Sequence, residues 1–211
     1  MKKTIMIDFD GTITKQDTCV AVANEFVTRD WKNIDERWSN GELSTQQCSQ
    51  MLFDLMDFDE KTLRSFLEKI EIDDYFIRFI EFCRKRNYDI YIVSDGFDFN
   101  IRTVLKKNKI NNMEIYSNIF FFDDKGEYNL KFPHKSQDCG KCGTCKTSIY
   151  NKLKESSDKI IYIGDGYSDR CVAENADMLF AKSYLAQYCD EKEIEYIKYD
   201  SFKDVIDYLQ K

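Results

Sequence analysis

Proline and histidine are almost missing from this chain, which has one of each in 211 residues. With Pro133 as the single proline, the turns must be made by Gly, Asn and Asp. No apolar run reaches the roughly 18–20 residues that a membrane-spanning helix needs. Acids interrupt the N-terminal apolar stretch at Asp8, too early for a signal peptide. These absences predict a cytoplasmic protein that makes no membrane contact.

Basic residues are fewer than acidic ones: the chain has 31 Lys and Arg against 38 Asp and Glu, which gives a formal net charge of −7. This balance disfavours nucleic acid as a partner, although one basic pocket can still bind an anion. The hydrophobic and charged fractions, 43% and 33%, are typical of a globular protein, which we expect to be a monomer or a homodimer. In a cytoplasmic chain of this length, the eight cysteines are not expected to form a disulfide framework.

The first strand and the first polar cluster lie together in residues 5–14. Ile5, Met6 and Ile7 form an apolar run that predicts a strand buried on both faces, as in a parallel sheet. Asp8 and Asp10 follow it directly. Because parallel sheets bind ligands at the carboxyl ends of their strands, the two acids lie where a site is expected.

Helical and strand patterns alternate along the rest of the chain. Strands are predicted over residues 89–93, 114–122, 127–132, 159–163, 178–181 and 194–199. Helices are predicted over residues 73–86, 97–108, 147–155, 169–175 and 202–209. The turn Asp-Asp-Lys-Gly at 123–126 joins two strands as a β-hairpin. This order predicts an α/β fold with a doubly wound, mostly parallel sheet.

Residues 17–69 carry helical signals and few strand signals. Helical apolar spacing occurs in residues 17–26 and 59–70, and Ser44 with Gln47 forms a capping-box pattern before another helix. About four helices inserted after the first strand predict a helical cap domain at 15–72 and a core domain at 1–14 and 73–211. Alternatively, these helices cover the sheet as ordinary elements. Candidate substrate-selecting residues of the cap are Asp17, Glu25, Phe26, Arg37, Trp38 and Met56.

Polar, turn-forming clusters follow three of the predicted strands. They are Asp8-Phe9-Asp10-Gly11-Thr12, Ser94-Asp95-Gly96 and Gly164-Asp165-Gly166-Tyr167-Ser168-Asp169. Neighbouring parallel strands bring all three clusters to one edge of the sheet. So many carboxylates repel each other unless a hard cation neutralises them. Mg²⁺ suits this site because it binds carboxylate oxygens and keeps waters for a phosphate ligand.

Asp8 and Asp10 point the same way, because they are two residues apart in an extended chain. An ionised Asp8 is a candidate nucleophile that forms an aspartyl-phosphate, and Asp10 is a candidate general acid and base. Ser94 and the amide of Gly96 are candidate ligands of the phosphoryl oxygens. A lysine at a helix start would offset the charge on the transferred group. The alternative is that these acids are solvated turns at strand ends.

The ordered motifs resemble those of the haloacid dehalogenase (HAD) superfamily of phosphohydrolases, in its phosphoserine-phosphatase-like branch. The resemblance rests on Asp-x-Asp-Gly-Thr at 8–12, Ser94, a later lysine, and Gly-Asp-Gly-x-x-Asp at 164–169. The inserted helices are similar to the C1-type cap of that branch. The resemblance therefore covers nearly the whole chain.

This resemblance implies roles for individual residues. A Mg²⁺ site would comprise Asp8, the carbonyl of Asp10 and Asp165, with Asp169 as support. The implied phosphate-binding residues are Thr12, Ser94, Gly96 and Lys146. Alternatives are that Asp169 only caps a helix, and that Lys135 or Lys141 takes the place of Lys146.

The loop before Lys146 combines the single histidine with three cysteines, namely His134, Cys139, Cys142 and Cys145. These are the ligand types of a tetrahedral zinc site. A redox or disulfide role, and a reduced loop without metal, are the alternatives. The loop is also similar to that of the HAD branch containing 2-hydroxy-3-keto-5-methylthiopentenyl-1-phosphate phosphatase, an enzyme of methionine salvage.

Two positions depart from those relatives. Asp95 stands where a second glycine is more common, and Tyr167-Ser168 replaces the Ala-Asn of many phosphoserine phosphatases. An acid at position 95 would disfavour a second anion on the substrate and would tolerate a cation, as in phosphocholine or phosphoethanolamine.

We therefore predict a Mg²⁺-dependent phosphomonoesterase that hydrolyses a small phosphorylated metabolite through an aspartyl-phosphate. Candidate substrates are the methionine-salvage compound, phosphoserine, phosphocholine and phosphoethanolamine. A phosphotransferase on the same fold is an alternative, since Asp10 as a base can activate another hydroxyl. A phospho-accepting regulatory protein, akin to a response-regulator receiver, is the alternative from another class. Receivers, however, need neither Asp10 as an acid and base nor a cap.

Overall fold

The computed structural model describes residues 2–137 and 140–211. Its strands are β1 (Lys3–Ile7), β2 (Asp89–Phe97), β3 (Glu114–Phe122), β4 (Tyr128–Lys131), β5 (Lys159–Gly164), β6 (Met178–Ala181) and β7 (Ile197–Lys198). They form one sheet in the order β4-β3-β2-β1-β5-β6-β7. The strand pairs are parallel except for β3 with β4, the predicted antiparallel hairpin.

Ten helices accompany the sheet in the described part of the chain. They are α1 (Thr18–Phe26), α2 (Lys32–Ser39), α3 (Thr45–Phe53), α4 (Glu60–Leu67), α5 (Phe76–Lys85), α6 (Asp98–Lys107), α7 (Lys146–Lys154), α8 (Arg170–Ala173), α9 (Ser183–Lys192) and α10 (Phe202–Leu209). Within the described residues, each helix is too short or too polar to cross a membrane.

The middle strand β1 is buried on both faces, as its apolar run predicts. Ile5, Met6 and Ile7 have no exposed surface. Successive strand residues point to opposite faces, so Ile5 and Ile7 join one apolar cluster and Met6 joins another. Residues of α5, α6 and α10 belong to the first cluster, and residues of α7, α8 and α9 to the second. The predicted doubly wound α/β fold is therefore confirmed.

Strand β2 is longer than predicted. It continues through Ser94, Asp95 and Gly96 to Phe97, whereas the turn-forming residues predict an end at Val93. The pairing register with β3 shifts between Val93 and Phe97, so residues 94–96 leave the regular ladder without ending the strand. Ser94 and Gly96 of this irregular stretch lie close to Asp10, just after β1.

Other differences lie in the C-terminal third of the chain. The predicted helix 169–175 is a 3₁₀ turn, Tyr167–Asp169, followed by the one-turn helix α8. The predicted strand 194–199 narrows to β7, which has two residues. Helix α9 is missing from the prediction because its buried residues, Leu185, Ala186 and Cys189, form a short pattern among polar neighbours.

The two connections that join the α1–α4 segment to the rest of the chain run side by side. Thr14 forms an isolated antiparallel bridge with Ile72, and the Lys15 amide donates to the Glu71 carbonyl at 2.9 Å. The two connections to residues 15–72 are therefore hydrogen-bonded to each other.

Three of these inserted helices begin at a side-chain cap. Asp17, Ser44 and Asp59 each accept a hydrogen bond from a backbone amide in the first turn of α1, α3 and α4. At α3 the Ser44 backbone amide also donates to the Gln47 side-chain oxygen, which confirms the predicted capping box.

Candidate active site

The three predicted polar clusters meet at one edge of the sheet. Strands β2, β1 and β5 are neighbours, and their carboxyl ends carry Ser94, Asp8 and Asp165. A cavity of about 440 Å³ opens at this edge. Its lining includes Asp8, Asp10, Ser94, Gly96 and Asp165.

Three acids form a compact group at this edge, of which Asp8 and Asp165 line the cavity and Asp169 is buried. One carboxylate oxygen each from Asp8, Asp165 and Asp169 lies within 4.8 Å of the others. Burial and the Asp169 charge raise the pKa of Asp8, and the same two causes raise the pKa of Asp165 to about 6. Such repulsion between buried carboxylates makes this group a good fit for a divalent cation.

Lys146 supplies one positive charge to this group. It is the first residue of α7, and its Nζ lies 2.7 Å from Asp8 Oδ1 and 2.5 Å from Asp169 Oδ1. Burial alone would lower the pKa of Lys146, but the Asp169 and Asp8 carboxylates outweigh it and hold this pKa above its usual value. The other candidates, Lys135 and Lys141, donate instead to residues of the inserted helices and their connections.

Asp169 makes no side-chain cap bond to α8, but its carboxylate takes part in the capping box of the 3₁₀ turn Tyr167–Asp169. Its Oδ1 accepts from Lys146 and the Tyr162 hydroxyl, and its Oδ2 accepts from the amides of Asp165 and Gly166 at 2.9 Å each. All four bonds hold the turn after β5 in place. The sequence does not indicate that Tyr162 contacts the site, because its apolar strand predicts only that the side chain is buried.

Asp10 is held by a residue that the sequence motifs do not include. Its Oδ1 accepts from the Thr18 hydroxyl at 2.6 Å and the Thr18 amide at 2.9 Å. The Ser94 hydroxyl donates to the other oxygen at 3.2 Å. Burial raises the pKa of Asp10, and the bonds from Thr18 and Ser94 oppose that rise. Thr18 could have been found as the first residue of a helix beginning just after the Asp17 cap.

Thr12, an implied phosphate-binding residue, contacts Asp165 through its hydroxyl, and its phosphate-binding role stays a prediction. Its side chain is fully buried, and the hydroxyl donates to Asp165 Oδ1 at 2.6 Å. Gly11, just before it, has a φ of +75°, and a Cβ there would lie 2.4 Å from Asp165 Oδ2. The turn after β1 therefore serves to position Asp165.

Asp95, which the sequence analysis predicts to tolerate a substrate cation, lines the cavity. Its carboxylate accepts from the Thr45 hydroxyl at 2.6 Å and the Thr144 amide at 2.7 Å. Each oxygen thus already has a protein donor, and a contact between Asp95 and a substrate cation stays a prediction.

The zinc hypothesis gains no support from the cysteine loop. Cys139 lies outside the described residues. Within the described ranges, Asp8, Asp165 and Asp169 are the one group of three or more metal-binding side chains whose ligand atoms lie within 4.8 Å of one another. His134, Cys142 and Cys145 therefore do not form such a group. Cys145 is buried at the start of α7, and the His134 ring packs edge-on against Tyr116.

The inserted helices supply most of the apolar wall of the cavity. Of the predicted selecting residues, Asp17, Trp38 and Met56 line it, and Glu25, Phe26 and Arg37 do not. Further apolar lining residues are Val20, Val22, Trp31, Leu52, Phe53 and Leu63. Among lining residues in the described ranges, Lys15 is the only cation, and it pairs with Glu71 and Asp74.

Gly96 approaches Asp10 closely enough to test this geometry. A Cβ at Gly96 would lie 2.5 Å from Asp10 Oδ2 and 3.1 Å from Ser94 Oγ. We expect Gly96→Ala to displace the Asp10 carboxylate and lower kcat about a hundredfold, as misplaced catalytic groups do. The measurement is steady-state hydrolysis of p-nitrophenyl phosphate.

Gly126→Ala, in the β3–β4 turn, is the control for Gly96→Ala: a Cβ there meets nothing within 4 Å, and the strain of an alanine at a φ of +80° falls on a turn that does not line the cavity. Unchanged kcat in Gly96→Ala would contradict the close approach of Gly96 to Asp10.

A family model described as Putative Phosphatase matches residues 3–195 of the chain. The fold and the family match together define the class: the chain belongs to this phosphatase family and is a phosphoric monoester hydrolase. The chain is 33% identical over 210 residues to 2-hydroxy-3-keto-5-methylthiopentenyl-1-phosphate phosphatase of Bacillus pumilus, covering 97% of this chain and 90% of that one. The protein of the same name from Bacillus cereus is 32% identical, with 97% and 94% covered.

Solved structures share the fold of this chain. A phospho-aspartyl intermediate analogue of phosphoserine phosphatase superposes with a TM-score of 0.74 at 21% identity, covering 98% of both chains. A HAD family hydrolase of Salmonella enterica serovar Typhi superposes with a TM-score of 0.76 at 16% identity, covering 97% of this chain and 69% of that one. At these identities the likeness concerns the fold.

Proposed function

We propose that Asp8 is the nucleophile of this phosphatase and Asp10 its general acid and base. An Asp8 oxygen attacks the phosphorus, the bond to the leaving oxygen breaks, and Asp10 gives that oxygen a proton. Asp10 then takes a proton from water, whose oxygen attacks the phosphorus and releases Asp8 with inorganic phosphate. The observation that carries this proposal is the pairing of Asp8 with Lys146 beside an Asp10 held separately by Thr18.

We also propose that Asp8, Asp165 and the carbonyl of Asp10 hold Mg²⁺, with Asp169 as support. The buried carboxylates of Asp8 and Asp169 and the partly buried carboxylate of Asp165 share the single positive charge of Lys146, so the group has excess negative charge for a divalent cation to neutralise. When bound, Mg²⁺ would neutralise phosphoryl charge. Ser94 and the Gly96 amide would bind phosphoryl oxygens. Residues 15–72 would form the cap domain, since their helices supply most of the apolar cavity wall.

The proposed substrate is a small phosphomonoester whose remaining part is uncharged and partly apolar. The apolar wall of Val22, Leu52, Phe53 and Met56 suits a hydrophobic tail, and the compound that names the Bacillus relatives has a methylthio group. Phosphoserine fits less well, because its carboxylate would meet no unpaired lysine or arginine among the described lining residues.

Amine-bearing phosphomonoesters are a second candidate class. Asp17, Asp35 and Trp31 all line the cavity, and carboxylates together with an aromatic ring can stabilise an ammonium group. Asp95 lines the same cavity and adds a third carboxylate to this candidate.

A substrate panel tests both candidates. In the presence of Mg²⁺, we expect kcat/KM for the methylthiopentenyl phosphate to exceed that for phosphoserine at least about a hundredfold, since an unpaired buried carboxylate costs several kcal/mol. Phosphocholine and phosphoethanolamine complete the panel. Phosphate release is measured for each compound, and a preference for phosphoserine would contradict the charge argument.

The same assay distinguishes the other chemistries. EDTA is expected to abolish turnover and Mg²⁺ to restore it. Activity that survives full removal of divalent metal would overturn the metal proposal. Transfer to added glycerol in preference to water would indicate a phosphotransferase, and an aspartyl-phosphate stable for minutes would indicate a regulatory protein.

A further inference from the structure

Asp95 joins three segments of the active site through one carboxylate. It lies in β2 between Ser94 and Gly96, and its Oδ2 accepts from the hydroxyl of Thr45, the first residue of α3. Its Oδ1 accepts from the amide of Thr144, two residues before Lys146. The phosphate-binding end of β2, an inserted helix and the loop leading to the lysine thus share a single anion.

Neighbouring groups reinforce each arm of this contact. The Trp38 indole donates to Thr45 Oγ1 at 3.0 Å, and the Thr45 amide donates to the Lys141 carbonyl at 2.8 Å. The side-chain amide of Asn118, in β3, donates to the backbone carbonyl of Asp95 at 2.6 Å. The Thr45 hydroxyl is therefore both donor and acceptor in one chain of bonds from Trp38 to Asp95.

The segment α2–α3 depends on such polar contacts because most of its buried apolar side chains pack against each other and not against the sheet. Ile34, Leu43 and Cys48 form a cluster separate from the two clusters around the sheet. Only at the end of α3 does Phe53 join the main core. Besides the hydrogen bonds, the Trp38 ring packs on Tyr167 at a centroid distance of 5.2 Å. The segment can thus separate from the core near Thr45 without breaking the main core.

We propose that Asp95 is a positioning residue that holds the α2–α3 segment closed over the active site through Thr45. The proposal rests on the proposed function in one respect, namely that the inserted helices close over a phosphate ester. Hydrogen bonds to an ionised carboxylate are stronger than bonds between neutral groups, so the Thr45–Asp95 bond stabilises the closed position of the α2–α3 segment more than a neutral bond would. Because Asp95 also holds Thr144, closure is coupled to the loop that positions Lys146.

Thr45→Val tests the contact, since it removes the hydroxyl and keeps the shape of the side chain. We expect amide hydrogen exchange in residues 45–50 to accelerate about tenfold in Thr45→Val and in Asp95→Asn, and no further in the double variant. Thr45→Ser should restore the wild-type rate. Thr28→Val, at an exposed threonine of the insertion, is the control. Unchanged exchange, or additive effects in the double variant, would overturn the proposal.

A kinetic measurement separates positioning from general support of the fold. In Thr45→Val, KM for p-nitrophenyl phosphate should rise about tenfold while the inhibition constant of inorganic phosphate, which lacks a group to contact α3, stays within about twofold. A loss of thermal stability without this split would also overturn the proposal. If the wild-type protein hydrolyses no phosphate ester, the proposed function fails, and the exchange experiment still decides on the contact.

Discussion

Asp8→Asn is expected to lower kcat by about four orders of magnitude or more, since removing a covalent nucleophile costs this much in other hydrolases. The amide keeps the shape of the side chain but cannot attack phosphorus as an ionised oxygen does. Steady-state hydrolysis of p-nitrophenyl phosphate with Mg²⁺ gives the magnitude. Acid quenching of the wild-type enzyme during turnover should trap phosphate on the peptide that contains Asp8.

The control for Asp8→Asn is Asp124→Asn, the same change at an exposed acid of the β3–β4 turn. It should leave kcat unaltered. Turnover in Asp8→Asn within tenfold of the wild type would exclude Asp8 as the nucleophile. Circular dichroism spectra of both variants show whether the fold is intact.

Lys146→Met is expected to lower the free energy of unfolding by about 3–5 kcal/mol, the cost of breaking a buried ion pair. The ammonium is almost inaccessible, with 2% of the side chain exposed, and it contacts Asp8 and Asp169 together. Methionine keeps most of the side-chain volume, so the loss reports charge rather than a cavity. Urea denaturation in EDTA gives the free energy, because bound metal would otherwise mask part of the effect.

Lys154→Met provides the matched comparison on the same helix. Lys154 also pairs with an acid, Asp177, at 2.5 Å, but 38% of its side chain is exposed. Such a pair contributes about 1 kcal/mol or less. Equal destabilisation by the two variants would contradict the buried role of Lys146. In activity, Lys146→Met should also lose at least about a hundredfold in kcat, while Lys154→Met stays active.

The fold was largely predictable because its elements carry strong local patterns. The bounds predicted for β3, β6 and α10 coincide with the structure, since each has clear alternation or helical spacing between turn residues. The convergence of Asp8, Ser94 and Asp165 followed from parallel topology alone. The course of β2 through residues 94–96 was not predictable, because its pairing with β3 overrides the turn preference of Ser-Asp-Gly.

Side-chain partners at the site were less predictable than its position. Thr12 and Asp95 belong to the expected motifs, yet their partners are Asp165, Thr45 and Thr144. These contacts join segments far apart in the chain, so no local pattern encodes them. For the same reason, the sequence did not distinguish Trp38, which lines the cavity, from residues of the insertion that face elsewhere.

The bridge between Thr14 and Ile72 has a consequence for how this protein family can diversify. Because the chain leaves and re-enters the sheet at adjacent points, the sheet already fixes the ends of the intervening segment. The entropy of closing such a loop grows only logarithmically with its length. Segments of other lengths can therefore be grafted at this point with little cost to the sheet, provided that each supplies a donor to Asp10 as Thr18 does.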